Sequence, residues 1–304
     1  MVRDVVASEN SHVAAALAGV PLTVADVVAL MEQLYPPQVA ADWDSNGLIV
    51  GDPAAPVRKV LFAVDPVLLV LEEAIAAEVD LIITHHPLFL KGVNSVAANT
   101  YKGAIVQRSI LAGISLFNAH TNADSSPRGV AAALADIIGL NHQHPLVVDS
   151  YSDSFGIGRV GELPAPMLLA DFARMVVANL PPVAQGARVA GDLSALVQRV
   201  AVVGGAGDSL FDAVRAAQAD VYVTADLRHH PASEFRERAL FSGAGKPYLV
   251  DLAHYASEWA WLRYAADDLA AASRAEIAAR GGSGSILCQV STVNTDPWDA
   301  VFIP

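Results

Sequence analysis

The sequence predicts an α/β protein of two domains whose sheets are mostly covered on both faces. Three observations carry this expectation. Near-continuous apolar runs of strand length recur, among them KVLFAVD at 59–65, DLIIT at 80–84, ISLFNA at 114–119, VQRVAVV at 197–203, DVYVTA at 220–225 and PYLVDL at 247–252. A strand that is apolar throughout, rather than at alternate positions, is buried on both sides. Stretches with helical spacing separate these runs, which is the pattern of parallel sheets flanked by helices. Finally, the 304 residues are 53% hydrophobic and 17% charged, enough apolar surface for two ordinary cores and too much for a disordered chain.

Each element has a local reason. Thr23 caps a helix whose third following residue is Asp26, with Val27, Val28, Met31 and Leu34 at core spacing, and the Pro36-Pro37 pair ends it. After the strand at 59–65, Pro66 opens the helix VLLVLEEAIAAE. The strand at 80–84 precedes a helix over YKGAIVQRSILAG closed by Gly113, and the strand at 114–119 ends in HTNAD. A second series begins after the Ser-, Asp- and Gly-rich 149–161 stretch. There VQRVAVV runs into Gly204-Gly205-Ala206-Gly207, Asp208 caps a helix, and the strand at 220–225 follows. PYLVDL leads into a long helix from HYASEW to Arg280, GGSGS breaks the chain, and ILCQVSTVN forms a last strand.

Composition excludes several function classes. A formal net charge of −13 opposes a phosphate backbone, and no basic run offsets it, which argues against nucleic-acid binding. No uncharged apolar run reaches the ~18 residues of a membrane-spanning helix. The first twenty residues lack the basic start and apolar segment of a secretory signal, so residues 1–19 read as a flexible extension and the protein as cytoplasmic. With Cys288 as its single cysteine, the chain offers no internal disulfide and no thiolate cluster, and any metal must be held by nitrogen and oxygen.

Histidines and carboxylates cluster just after the apolar strands: His85-His86, His120 with Asp124, and His254 with Glu258. Adjacent side chains of extended backbone diverge, so His85 and His86 are suited to serve two neighbouring ions rather than one. His254 and Glu258 are four apart on one helical face and can converge on one site. Asp124 offers two oxygens, as a bridging ligand between cations requires. The stretch VTADLRHHPASE brings Asp226, His229, His230 and Glu234, read as proton-transfer or substrate-contact groups at the mouth of a site, against the plain alternative of a polar loop capped by Ser233. GGAG at 204–207 reads as a tight strand-to-helix turn, since it lacks the rest of a phosphate-binding loop.

The ordered set LIITHHPLFLKG, LFNAHTNAD, GRVGELP, RVAVVGGAG, ADVYVTADLRHH and DLAHYASE resembles the NIF-three-like proteins, often labelled GTP cyclohydrolase type-two homologues. The resemblance implies two α/β domains, the second inserted in the first: a metal-binding domain over 20–125 plus 251–304, and an inserted domain over 126–250. It also implies a ring-shaped homohexamer and two divalent metal ions per subunit, of Zn, Mn, Fe, Co or Ni. The implied ligands are His85, His86, Asp124, His254 and Glu258, with His120, His229 and His230 as pocket residues that move protons. The implied activity is a dinuclear metal-dependent hydrolase acting on a small molecule through a metal-bridging water, whether GTP ring opening or cleavage of a nucleotide or phosphoester. The alternative is a non-catalytic metal-binding scaffold or regulatory interaction protein. Two departures stand out. Where many relatives read WDNVGL this chain has Trp43-Asp44-Ser45-Asn46-Gly47-Leu48, and where they commonly have TGE it has Thr224-Ala225-Asp226. The second carboxylate arm is one methylene shorter, so a contact made through it is expected to weaken or shift.

Overall fold

The computed structural model describes residues 21–243 and 245–302; the extension expected over 1–19 lies outside the described residues. Contacts divide the chain into two compact units. The first takes Asp42–His120 and Ala265–Val293 with the described residues up to Pro37; the second takes Gln38–Ala41, Thr121–Tyr264 and the described residues from Asn294.

In the first unit, β1 (Leu22–Thr23) enters α1 (Val24–Leu34) through the expected capping box: Thr23 Oγ1 accepts from the Asp26 N–H at 3.2 Å, and Asp26 accepts from the Thr23 N–H at 2.7 Å. Val24, Val27, Leu30 and Met31 are the buried face of α1. Arg280, 254 positions away, donates to the same Asp26 carboxylate at 2.6 Å. That bond, with the cap, holds the Asp26 carboxyl well below the usual carboxylate range. A depressed folded-state pKa contributes stability above the unfolded value of 3.8 and loses it as pH falls through the folded one. Asp26→Asn is therefore expected to lower the melting temperature at pH 6, with the gap to the parent closing as pH falls from 4 toward 2; a constant gap in a pH series of thermal melts would refute the linkage.

The chain continues through β2 (Gly47–Val50), β3 (Pro56–Val57), β4 (Lys59–Ala63), α2 (Leu68–Ala76), β5 (Leu81–Thr84), α3 (Tyr101–Ala112) and β6 (Ser115–Asn118). Pro66 stands two residues before α2, whose cap is Val67, so it precedes the helix instead of opening it. Gly113 closes α3 in the left-handed conformation, as its sequence position predicts.

The second unit holds α4 (Thr121–Ser125), α5 (Val130–Ile138), β7 (Asn141–Asp149), β8 (Ser152–Leu168), α6 (Leu169–Ala178), β9 (Ala187–Ala190), β10 (Leu196–Ala206), α7 (Phe211–Ala216), β11 (Val221–Ala225), α8 (His229–Phe241) and β12 (Tyr248–Leu252). α9 (His254–Ala279) gives 254–264 to the second unit and 265–279 to the first, and β13 (Leu287–Val290) closes the first unit. The Ser-, Asp- and Gly-rich stretch around 149–161 is the turn of the β7–β8 hairpin and the first part of β8. Its polar exposed positions disguise the strand. Asp208 does not cap a helix: it begins a short 3₁₀ turn, and its carboxylate accepts from Arg228.

The first unit's main sheet has the order β13-β4-β5-β6-β2, parallel except for β2. Val60 through Ala63 and Leu81 through Thr84 are all buried, as unbroken apolar runs require. The second unit's sheet has the order β7-β8-β10-β11-β12-β9, with β10, β11 and β12 parallel and the other pairings antiparallel. One face packs Leu134, Phe172 and Val176 from α5 and α6; the other packs Phe211, Val214 and Phe235 from α7 and α8. β12 pairs with β11 and β9, so residues 248–252 belong to the second sheet, where the sequence reading changes domain at 251. Among the described residues no helix is long and apolar enough to cross a membrane.

Half-buried Cys288 pairs with Val60 on the parallel β13–β4 ladder. Burial, with the charge of Asp267, pushes its thiol up to about 12 from 9.0. The thiolate is the reactive form, so at pH 8 its population is about a thousandfold below that of an ordinary cysteine. Native protein is expected to react with a disulfide reagent at least a hundredfold more slowly than urea-unfolded protein; equal rates would contradict this.

Candidate metal centre

Both units deliver their chemistry at the carboxyl ends of parallel strands, where open α/β sheets place ligands. In the first unit β4 leads to Asp65, β5 to His85-His86 and β6 to Ala119-His120. The three imidazoles gather there: ring centroids are 4.9 Å apart for His85–His86, 5.3 Å for His85–His120 and 5.6 Å for His86–His120. Each can offer a nitrogen within 4.8 Å of those of the other two. His85 and His86 stand side by side at this strand end, with ligand nitrogens close to each other. Strand alternation stops at Thr84, whose hydroxyl donates to the His86 carbonyl at 2.7 Å and turns the chain there. His120, read from the sequence as a pocket residue, stands in this group as a full member.

Every one of these rings is anchored through Nδ1. The His85 Nδ1 lies 3.1 Å from the Ala119 carbonyl, His86 Nδ1 2.7 Å from Asp65 and His120 Nδ1 2.7 Å from Asp44. A carbonyl only accepts, so His85 carries its proton on Nδ1 and turns the lone pair of Nε2 to the cluster. Orienting carboxylates or carbonyls behind Nδ1 are what metal-binding histidines use to fix tautomer and direction. Asn46 completes this arrangement. Its side-chain oxygen accepts from the His120 N–H at 3.0 Å while its amide donates to Asp44 at 3.0 Å, so the asparagine of WDSNGL ties Asp44 to His120. Trp43 stands edge-on to His120 at 5.9 Å.

In the second unit His254 and Glu258 open α9 four residues apart, with Nε2 and Oε1 3.0 Å from each other. Asp226 sits at the end of β11 and accepts at His254 Nδ1, 2.7 Å away. The shorter arm does not weaken this contact as expected: Asp226 adopts φ 53°, a left-handed backbone that brings the carboxylate back to the ring. An imidazole with a carboxylate oxygen on both nitrogens needs a positive charge between the ring and one of them, either a second proton or a metal ion. The carboxylate of Glu258 is buried, 3% exposed, in a cradle made by glycine. A Cβ at Gly205 would lie 2.6 Å from Glu258 Oε1 and 3.3 Å from His254 Nε2, and one at Gly204 would strike Val130. β10 runs through Gly204, Gly205 and Ala206 of GGAG, Gly207 leads into the 3₁₀ turn at Asp208, and the missing side chains leave room for the ligands. Asp124 lies half-buried in α4. The Ser126 carbonyl just beyond α4 accepts from the buried guanidinium of Arg159 at 2.8 Å.

His229 and His230 are exposed at the start of α8 and, among the described residues, belong to no group of three close ligand atoms. They diverge. His230 lines a cavity of about 290 Å³ with Asp208 and Glu234, and His229 one of about 380 Å³ with Arg188 and Arg236. Ser233 does not cap α8; Arg228 holds the cap position without a side-chain hydrogen bond. The residues that sequence reasoning missed are Asp44, Asp65 and Gly205. Apart from Asp44 in its motif, they carry no local signal, because their roles are to partners far away in the chain.

The donor set of imidazole nitrogens and carboxylate oxygens fits a divalent transition metal. Asp65→Asn and Asp44→Asn should each weaken zinc binding about 10- to 100-fold by calorimetry while the melting temperature of the protein stays within a few degrees; unchanged affinity would deny these carboxylates an orienting role.

These features define a mixed α/β protein with a histidine- and carboxylate-lined site that could hold a metal. The chain belongs to the Duf34/NIF3 (NGG1p interacting factor 3) family, whose model matches residues 22–281. It is 46% identical over 277 residues to a protein of Streptomyces coelicolor called GTP cyclohydrolase 1 type 2 homolog, covering 90% of this chain and 93% of that one. A protein of the same description in Mycobacterium tuberculosis is 34% identical, covering 90% of this chain and 96% of that one. Among solved structures, a hypothetical protein of Staphylococcus aureus superposes with a TM-score of 0.81 at 30% identity, over 93% of this chain and all of that one. Reduced HcgD from Methanocaldococcus jannaschii gives a TM-score of 0.68 at 25% identity, covering 90% of this chain and 100% of that one.

Proposed function

We propose that the protein is a metal-dependent hydrolase whose centre is assembled from His85, His86, Asp124, His254 and Glu258 and takes two divalent ions. The observation that carries the reading is the Nδ1 anchoring of the centre's three imidazoles, His86 and His254 on carboxylates and His85 on a carbonyl, which leaves each Nε2 for coordination. Divalent cations supply Lewis acidity, lowering the pKa of water toward neutrality and polarising an electrophilic carbon or phosphorus. The chain's own residues do the rest. Asp44, Asp65 and Asp226 hold protons on Nδ1 and fix ring orientation, and the Gly205 gap lets the Glu258 carboxylate approach His254.

His229 and His230 enter the proposal as solvent-exposed proton carriers. The His229→Ala/His230→Ala double variant should lower kcat at least tenfold while metal stoichiometry stays unchanged. An unchanged kcat would remove them from the mechanism. The substrate class in this reading is a nucleotide or other phosphoester, with GTP ring opening as the further activity that the sequence resemblance implies; the relatives are described as GTP cyclohydrolase 1 type 2 homologues. The test is turnover by protein reconstituted with Mn or Zn against GTP, nucleotides and phosphodiesters, beside His86→Ala/Asp124→Ala. No turnover, or turnover undiminished in the variant, sinks the enzymatic reading. In that event the second reading, a metal-binding interaction protein, is favoured by the family description, which is that of an interacting factor. A homohexamer belongs to the same proposal, and the mass in solution tests it.

A further inference from the structure

The cavity of about 380 Å³ in the second unit lies where β9, β12 and α8 meet, and its charge is out of keeping with the chain. Acidic residues outnumber basic ones 32 to 19 overall, yet Arg188, Arg236 and His229 face this space with a single carboxylate, Asp251. That carboxylate is spent. It is 4% exposed, one oxygen accepts from the Leu227 N–H at 2.9 Å, and the other takes the Arg188 guanidinium through Nε at 2.8 Å and through Nη2.

Arg236 is different. It is half-buried, held over the Tyr248 ring at 5.2 Å, and its Nη1 donates to the carbonyls of Gly245 and Pro247. Among the described residues no carboxylate pairs with it. A guanidinium removed from water without a counter-ion is costly, and an anion in the cavity relieves that cost. Two further features point the same way: α8 begins at this cavity with no side-chain cap over its first N–H groups, and Ser233 in its second turn adds a hydroxyl. The cavity of about 290 Å³ across α8 lacks this character, because Asp208, Asp212 and Glu234 there outnumber Arg215 and Arg238.

The remaining walls are apolar, with Leu227 and Leu249 among them, and the volume is that of a small-molecule site, for which about 300–1,000 Å³ is usual, rather than of a bare oxyanion. Guanidinium forks match phosphate oxygens, and a phosphate monoester carries a charge of about −1.5 to −2 near neutral pH. We propose that this cavity binds an organic phosphate monoester, the phosphate on Arg236 and Arg188 beside the α8 N-terminus and the apolar body against Leu227 and Leu249. The site narrows the substrate class of the hydrolase reading to phosphate monoesters with an apolar body and rests on that reading only for turnover. Binding is separate from the metals. The link is short in sequence: Leu227, held by Asp251, follows Asp226, the partner of His254.

Phenyl phosphate, inorganic phosphate and benzoate, titrated calorimetrically into the protein as purified, test the proposal. Phenyl phosphate is expected to bind at least tenfold more tightly than either of the others. Ser233→Asp, which puts a negative charge at an exposed position where it also favours the helix, should weaken phenyl phosphate at least tenfold, and Arg188→Gln likewise. His86→Ala and Glu258→Ala should leave it within twofold. Binding that survives Ser233→Asp, or binding lost in the His86 and Glu258 variants instead, overturns the proposal and places the anion elsewhere. Binding as expected, without metal-dependent turnover of GTP or of any phosphate ester, keeps the pocket and rejects the hydrolase reading.

Discussion

Gly205→Ala is expected to weaken metal binding about 100-fold while the fold survives. The added Cβ would stand 2.6 Å from Glu258 Oε1 and 3.3 Å from His254 Cε1 and Nε2. The first distance is impossible, and the atom it meets is the far end of a side chain that can rotate. Glu258 therefore swings away, and the 3.0 Å approach to His254 is lost with it. A φ of +68° adds about 1–2 kcal/mol of left-handed strain for any residue with a Cβ. Gly139→Ala separates the two effects, since Gly139 has φ +80° and nothing within 4 Å of its would-be Cβ. Both variants should melt a few degrees low, and only Gly205→Ala should lose zinc by calorimetry and elemental analysis. Full zinc affinity in Gly205→Ala would mean that Glu258 is not a ligand, or that the cradle does not shape it.

Arg159→Met is expected to cost about 3 kcal/mol or more of unfolding free energy, the largest stability loss proposed for this protein. Arg159 is 3% exposed on β8, and its guanidinium bonds three carbonyls, Gly156 and Gly158 at 2.9 Å each and Ser126 at 2.8 Å. Burial brings its pKa down to about 10, still charged at neutral pH. Methionine fills similar space but leaves those carbonyls to bury without donors, and each such loss costs about 1–3 kcal/mol. Ser126 closes the turn after α4, the helix of Asp124, so metal stoichiometry is expected to fall alongside stability. Urea unfolding measures the first and elemental analysis the second. A loss below about 0.5 kcal/mol would show that water or the peptide itself satisfies those oxygens.

Much of the first unit was legible because its signals are local. Unbroken apolar runs mark β4, β5 and β6 as covered strands, Thr23 and Asp26 write a capping box within four residues, and Gly113 ends α3 where a left-handed residue is needed. The candidate site was legible to the same depth. His85, His86 and His120 follow strand ends, and His254 and Glu258 sit one helical turn apart. The β7–β8 hairpin escaped because its exposed residues are polar, and a half-solvated strand rich in Ser, Asp and Gly has the composition of a loop. The His229-His230 pair shows the limit of local pattern. Two imidazoles after a strand resemble His85-His86 in sequence, yet here a helix starts at His229 and both side chains face solvent.

By itself the sequence determined the α/β class, most of the strands and helices, and which histidines and carboxylates stand at strand ends, since periodicity, capping and breakers act over a few residues. Only the tertiary structure decided which of those groups meet. Asp44 reaches His120 across 76 positions and Asp65 reaches His86 across 21, while Asp226 reaches His254 across 28. It also decided that Gly205 leaves space for Glu258 and that half-buried Arg236 meets no carboxylate among the described residues. The physical reason is range: such contacts are set by sheet order and by the register of parallel strands, which bring chain segments side by side in an order that no local pattern records.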